Sequence, residues 1–564
     1  MALGACAPQT GPAQSGTGGS AGNTRAANAP GTKILRMGIQ REAESFLRPG
    51  TTGQSIVFNI ADDELTAPDD QGRILAHLAA KIPSTEDGSI RFSSDGAMEV
   101  VWTLRPNLTW QDGVPLTADD FLLSWDYLQQ PEGLIKKIRW AIYADSVSAA
   151  DDHTLLVHFP QPYAFATRSW GTGTALLRAM PRHLLSDLYA KGDWDAFNNS
   201  PYWTDQFIGL GPYKLDRWLR GTRMEFVRFD NYALGRPPLD RLTLSFFPDL
   251  NALIANILTG DVDVCLDCKF SGAQDLDLQK RFEGTGNQVQ IGTDGMQAFA
   301  EAQFHPGIEV HPAALKDPAV RRALYRAIDR QAIVDAISLG LSPAADSWIL
   351  PWDQRRQNPA FNAAIIQYPY DPAQAERDLA DLGWRRGADG MLQNGAGERF
   401  EYDLLTYPDA FADNLLSVMT EQQKRIGVAV NPKINTPQQM NDREYLSTFH
   451  GLGIAQNTSE TMLQSRFSTL QVTRPENRYS ANNRGGYTNP RLDALYERVA
   501  ATIDEQQQNA IIAEIVRIGN TELPVLPLFW GTSVNVMSAK VRGFTTPTGL
   551  GGGTRVPTDW DVAS

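Results

Sequence analysis

Short runs of alternating apolar and polar residues dominate the chain up to about residue 300, and helical spacing dominates after it. The line Val100–Trp125 predicts a strand, a turn and a helix start in sequence. Val100, Trp102 and Leu104 interleave with Val101 and Thr103, a β-branched and aromatic run suited to a pleated surface. Asp112-Gly113 is a turn dipeptide, because glycine accepts positive φ without a Cβ clash. Thr117 then stands as an N-cap, with Asp119 and Asp120 in the first turn where carboxylates suit the helix dipole. Ile34–Ile39 reads as an opening strand, and Ser146–Phe159 as a hairpin around Asp151-Asp152. Pro181 marks a helix start. Gly209 and Gly211 predict a tight turn into a strand at Tyr213–Leu215, and Arg223–Phe229 and Leu242–Phe247 predict two more strands.

After residue 300 the spacing lengthens. Asp317–Ile337 predicts an amphipathic helix with Val320, Leu324, Ile328 and, after a turn, Ile333 and Ile337 on one stripe. Asp317 is its cap and Pro318 its first helical residue. Asp371–Gly383 repeats that design and ends on a glycine. Asp413–Ile426 is a third helix, ended by Gly427 and followed by a strand at Val428–Val430. Leu492–Glu522 is helical again, whereas the prolines of Leu523–Trp530 force that apolar run to be extended. Helix followed by short strand is the texture of a separate α/β lobe.

Length and charge narrow the function classes. At 564 residues, 42% apolar and 21% charged, the chain exceeds one ordinary core and has the composition of a globular protein. A net charge of −14 repels phosphate backbones, so no nucleic-acid partner is expected. No apolar run reaches the roughly 18 residues needed to cross a bilayer. Cys6 closes Leu3-Gly4-Ala5-Cys6 and precedes a Gly/Ser/Ala/Asn-rich stretch to about Pro30. A small-residue site before a polar tether resembles a bacterial lipobox whose cysteine carries the lipid. The charged and apolar regions of a signal peptide do not precede it, so the sequence reads as trimmed or started late.

Catalytic motifs fail on context. Gly18–Gly22 fits GxSxG but has no strand before it or helix after it. No phosphate loop, full GxGxxG or HExxH occurs. The pairs Asp62/Asp63, Asp119/Asp120 and Asp151/Asp152 read as solvated turn and cap residues. Cys265 and Cys268 form a CxxC, for which a local disulfide, free thiols and a metal site are all open. The disulfide is the first expectation in an exported protein, and zinc would need two further ligands.

The Val100–Trp125 line closely resembles the family 5 extracellular solute-binding proteins, the large peptide-binding components of ABC importers. Further matches in order are Phe207–Leu215, Gly235–Leu242, Leu258–Asp263, Asp317–Asp335, Asp371–Trp384, Gly427–Val430 and Leu523–Trp530. The resemblance implies an α/β type II clamshell of the large cluster, with two hinge strands near Met296–Ala302 and Pro524–Trp530. Residues 33–61, 201–298 and 525–564 would build lobe I, 62–200 an extra subdomain of it, and 299–524 lobe II, with 1–32 the lipobox and tether. It implies a lipid-anchored monomer outside the cytoplasmic membrane that captures a peptide-like or other oligomeric solute for a permease. No catalysis, cofactor or metal is implied. A non-peptide ligand (oligosaccharide or metal chelate) or a sensor role is the alternative. By family position the ligand-binding residues are Glu44, Trp352, Tyr407, Gly451, Leu452, Gly453, Gln456 and Asn457. Peptide binders usually carry a tryptophan and an ammonium-pairing aspartate in the last segment. Here Leu452 and Ala455 stand in those places, so an unblocked peptide N-terminus loses its usual partner.

Overall fold

Ten strands form one mixed sheet through residues 33–564, which make a unit of their own. The computed structural model describes residues 31–47, 52–69, 73–130, 140–167, 178–268, 270–408, 411–464, 466–543 and 560–563. Cys6 and the GxSxG match lie outside the described residues. The strands are β1 (Ile34–Ile39), β2 (Tyr213–Leu219), β3 (Arg223–Arg228), β4 (Arg241–Phe246), β5 (Val264–Cys268), β6 (Gln288–Ala302), β7 (Glu401–Thr406), β8 (Ala429–Ile434), β9 (Leu452–Thr458) and β10 (Val525–Met537). Across the sheet they run β8-β7-β9-β6-β10-β5-β1-β4-β3-β2.

The two central strands are the long ones, 15 residues in β6 and 13 in β10. They pair antiparallel from Gln288–Met537 to Glu301–Val525, with a break between Thr293 and Gln297. Gly295 sits in that break at φ +72°, a backbone state open to glycine that fits the extra residues of a bulge. On one side β10 pairs with β5 from Val264–Met537. On the other, β6 pairs with β9 from Met296–Thr458 to Ala302–Leu452. Both crossover strands extend beyond the apolar runs that predict them. Pro527 lies at a second irregularity of the pair, as a residue without an N–H must. The near-continuous burial of β10 explains its unbroken apolar reading.

A separate four-stranded antiparallel sheet orders Ile90–Phe92, Met98–Thr103, Thr154–Phe159 and Ser146–Asp151, with the predicted hairpin at its edge. The helix Ala118–Leu128 follows the turn at Gly113 (φ +93°). Asp120, read from sequence as solvated, is buried. Its carboxylate accepts from the Thr117 N–H at 2.9 Å, the Arg182 N–H at 2.9 Å and the Trp110 indole at 3.3 Å. Asp62 and Asp63 are buried as well, beside Glu64. Arg178 donates to Asp62 at 3.1 Å and to Glu64 at 3.0 Å. Asp63 accepts from the Tyr232 hydroxyl at 2.5 Å and lies 3.0 Å from His77 Nδ1. Burial pushes the Asp62 carboxyl up to about 6, against the pull of Arg178. These acids are internal braces, each charge met by partners.

Gly209 and Gly211 have a different reason from the predicted one. A Cβ on them would come within 2.1 Å and 2.5 Å of the Ala61 backbone. Gln111 closes the same junction, donating to the carbonyls of Ala61, Gly211 and Tyr213 at 3.0–3.1 Å and accepting from the Gly209 N–H at 3.0 Å.

Two predicted helices are each broken in two. Asp317–Ile337 becomes Pro318–Arg326 and Arg330–Ser338, because Asp329 accepts from the Ala332 N–H at 3.0 Å and starts a new helix. Leu492–Glu522 becomes Pro490–Ala501 and Glu505–Glu522, with Asp504 capping the second through Gln507 N at 2.8 Å. The helices Pro372–Asp381 and Ala412–Arg425 end before Gly383 and Gly427, both at positive φ, as predicted. Cys265 and Cys268 are joined within β5, their Cα atoms 6.1 Å apart, where its register against β10 shifts.

The helix Gly272–Phe282 packs against the end of Arg330–Ser338; a Cβ on Gly272 would lie 2.8 Å from the Ser338 carbonyl. In its first turn Asp275 is only 2% exposed, and its Oδ1 has no hydrogen-bond partner among the described residues. Burial alone pushes this carboxyl up to about 7. The native state therefore keeps a proton that the unfolded chain releases near pH 4, so stability falls as pH rises between these values. Urea melts should show the wild type losing up to about 4 kcal/mol relative to Asp275→Asn between roughly pH 4 and 7. Parallel curves for the two proteins would exclude this assignment.

Candidate functional site

A crevice in an open α/β sheet forms outside the carboxyl ends of its parallel strands. Here β7 pairs parallel with both β8 and β9, and a recess lies at the carboxyl ends of β7 and β8. It holds about 330 Å³ of empty space open to solvent. Tyr407 follows β7 and Asn435 follows β8; Gly453, Ile454 and Ala455 come from β9 and Glu301 from β6. Leu405, Tyr445, Leu446 and Phe449 supply apolar wall, and Arg484 closes the far side. Gly453 faces Glu301 across the β9–β6 ladder, and Ala455 faces Phe299. A glycine and an alanine here leave room where larger side chains would fill the space.

Charge in the recess is unevenly satisfied. Glu301 is 2% exposed and Arg466 3%. Arg466 donates to Glu301 Oε2 at 2.9 Å, and the Gly485 N–H donates to Oε1 at 3.1 Å. Burial pulls the Arg466 guanidinium below its ordinary range; Glu301 holds it up, and the nearby Arg484 lowers it further. The pair is internally neutral, and the carboxylate is spoken for. Arg484 is half-buried and donates to the Tyr407 hydroxyl at 2.8 Å. Among the described residues no carboxylate forms an ion pair with it. Because the Tyr407 oxygen accepts from Arg484, its own proton is free to be donated elsewhere.

Of the residues named from sequence, the structure brings Tyr407 and Gly453 into the recess. Gly451 lies at the entry of β9, where a Cβ would sit 2.3 Å from the Asp403 carbonyl. Leu452 points into the core with Leu404 and Tyr402. Gln456 and Asn457 continue along β9 opposite Ala298 and Gln297. Trp352 is 42% exposed on a turn, and Glu44 is exposed on the loop after β1. Arg484, Phe449, Tyr445 and Asn435 were not singled out. Asn435 stands directly after a strand, as Tyr407 does, so the carboxyl-end rule finds it. Arg484 lies in the irregular stretch Asn482-Asn-Arg-Gly-Gly486, where no periodicity marks it.

Comparison with known proteins agrees with this architecture. A 27% identical match over 350 residues links the chain to the oligopeptide-binding protein AppA of Bacillus subtilis, covering 60% of this chain and 59% of that protein. The oligopeptide-binding protein of Thermus thermophilus, solved with a pentapeptide, superposes with a TM-score of 0.76 at 21% identity, covering 94% of this chain and 96% of that one. NikA of Brucella suis, solved with Fe(III)-EDTA, gives 0.74 at 20% identity, covering 94% and 100%. The fold is thus the type II clamshell of mixed α/β structure. The model for bacterial extracellular solute-binding proteins, family 5, middle, matches residues 76–473. The recess and its sheet therefore belong to a member of the family 5 bacterial extracellular solute-binding proteins.

Proposed function

We propose that this protein captures a small organic solute in the recess and delivers it to the permease of an ABC importer. The recess carries the reading: apolar and aromatic walls with a few convergent polar groups, at the carboxyl ends of parallel strands. The name of the Bacillus relative favours a peptide-like or other oligomeric solute. The iron chelate held by the Brucella protein keeps a metal chelate as the second reading.

In this proposal, residues 33–61, 201–298 and 525–564 form lobe I, 62–200 its extra subdomain and 299–524 lobe II. The β6–β10 pair serves as hinge. Solute binds lobe II first, in the recess and against Trp352, and lobe I then closes over it, bringing Glu44 to the ligand. Binding drives closure only to the extent that the closed form holds the solute more tightly. The permease reads the closed form. Cys6 carries the lipid that keeps a monomer at the outer face of the membrane, and Cys265–Cys268 is a structural disulfide. No covalent chemistry is involved.

Native mass spectrometry of protein purified without additives should reveal a co-purified solute, and scattering should show a smaller radius of gyration with it than without. An unchanged radius sinks the closure mechanism. Gly453→Leu fills the recess against Phe449, whose ring is 3.6–3.7 Å from a Cβ there. It should cost at least about tenfold in solute affinity at near-normal stability, whereas Gly451→Ala should destabilise by about 1–3 kcal/mol. Equal melting of both variants would overturn the assignment of these glycines. Cys6→Ser expressed with its native leader should move the protein from membrane to soluble fractions; retention on the membrane counts against lipid anchoring.

A further inference from the structure

A recess that evolved for an unblocked peptide would place a free carboxylate where the α-ammonium arrives. The charges around this one are arranged the other way. Ala455 carries no charge, and Glu301, the carboxylate lining the space, is occupied on both oxygens by Arg466 at 2.9 Å and the Gly485 N–H at 3.1 Å. Counting Glu301, Arg466 and Arg484 leaves one positive charge, and it resides on Arg484.

The guanidinium rests on the Tyr407 hydroxyl, and the backbone on both sides of Arg484 is anchored. Its neighbour Gly485 is tied to Glu301. The preceding segment turns through Arg478 and Tyr479, both non-glycine residues at left-handed φ of 50° and 52°. The Tyr479 hydroxyl then donates to Glu444 at 3.0 Å, beside the recess residue Tyr445. Backbone strain of this kind persists where surrounding contacts enforce it and clusters at ligand-binding segments. The result is a convergent donor set: the remaining N–H groups of Arg484 and the free O–H of Tyr407. Both donate, and neither has an acceptor to spare. A carboxylate supplies acceptors for both in one planar group.

We propose that the solute of this protein is an organic carboxylate, held by Arg484 and Tyr407 with its apolar body on Leu405, Leu446 and Phe449, and that a free α-ammonium is not required. This rests on the capture reading above and names its substrate class. A peptide C-terminus and a non-peptide acid both present such a carboxylate, and the recognising chemistry is the same for each. Nearby Arg466 gains too, since an anion beside Arg484 offsets the repulsion between the two guanidiniums.

The test uses the full chain and pooled tripeptides prepared in four forms: both ends free, N-acetylated, C-amidated, and blocked at both ends. A fifth pool holds aliphatic and aromatic carboxylic acids without amino groups. Retention is read by native mass spectrometry and affinities by calorimetry. Acetylation should leave affinity within about threefold, and amidation should lower it roughly tenfold to a hundredfold, the range for a charge-assisted hydrogen bond. Arg484→Gln should remove the difference between acid and amide, and Arg484→Lys should keep part of it, with melting curves showing both variants folded. Retention of the fifth pool over the peptides would identify a non-peptide acid, and the reverse a peptide. Equal binding of acids and amides, or loss of binding on acetylation, overturns the proposal while leaving solute capture intact. Retention of no pool also overturns it. If scattering still shows compaction with a crude metabolite extract, capture itself stands.

Discussion

The β6–β10 ladder is the constraint on which the rest of the molecule depends. In the ten-stranded sheet it alone joins β5-β1-β4-β3-β2 to β9-β7-β8. Its two strands must satisfy a partner on each flank, so they are long, and β10 is buried almost throughout. The break between Thr293 and Gln297 falls where pairing with β9 begins at Met296. A bulge there raises local twist and interrupts the ladder. Bending at that point disturbs few hydrogen bonds on either side, because the pairs from Gln288 to Thr293 and from Gln297 to Glu301 are separate blocks. The ladder of this sheet is thereby interrupted between Thr293 and Gln297 and again between Ala298 and Phe299.

The recess is tied to the same ladder through Glu301, one residue from the end of β6. A carboxylate in an apolar strand is costly unless paired, and Arg466 and Gly485 meet that cost. The pairing also fixes Gly485 and so the position of Arg484. One buried ion pair therefore links the crossover strand to the residue that faces the ligand. The aromatic rings of Phe299 and Phe467 flank the Arg466 guanidinium at 5.7 Å and 5.9 Å, which makes its removal from water more tolerable.

Much of the fold is legible in the sequence because local signals and tertiary demands coincide. The Val100–Trp125 line, the Ser146–Phe159 hairpin and the glycine stops at Gly383 and Gly427 are local patterns, and the structure keeps them. The helix breaks at Asp329 and Asp504 are cap residues that the sequence displays; the apolar stripe continues past them and hides the interruption. Gly209 and Gly211 mislead because a glycine required for close approach is indistinguishable in sequence from one required for a turn. Adjacent acids mislead for a related reason. Asp62 and Asp63 are braced by Arg178 and Tyr232, distant in sequence, and nothing local announces them, while Asp120 keeps its local cap partner Thr117 and is buried under Trp110. The site follows the same rule: Tyr407 and Gly453 belong to regular strands and are found, whereas Arg484 depends on a loop placed by Glu301.

The charge on the whole chain bears on how an anionic solute is held. A net charge of −14 opposes the approach of an anion, yet screening confines that repulsion to about 8 Å at physiological ionic strength. Long-range steering, which raises association rates for complementary partners, is not available to such a ligand. Selectivity must then arise at contact, where Arg484 and Tyr407 act in a partly desolvated recess and effective interactions are strongest. An acidic surface with a cationic recess separates the two tasks: the surface limits unspecific association of anions, and the recess retains the one whose apolar body fits beside its carboxylate.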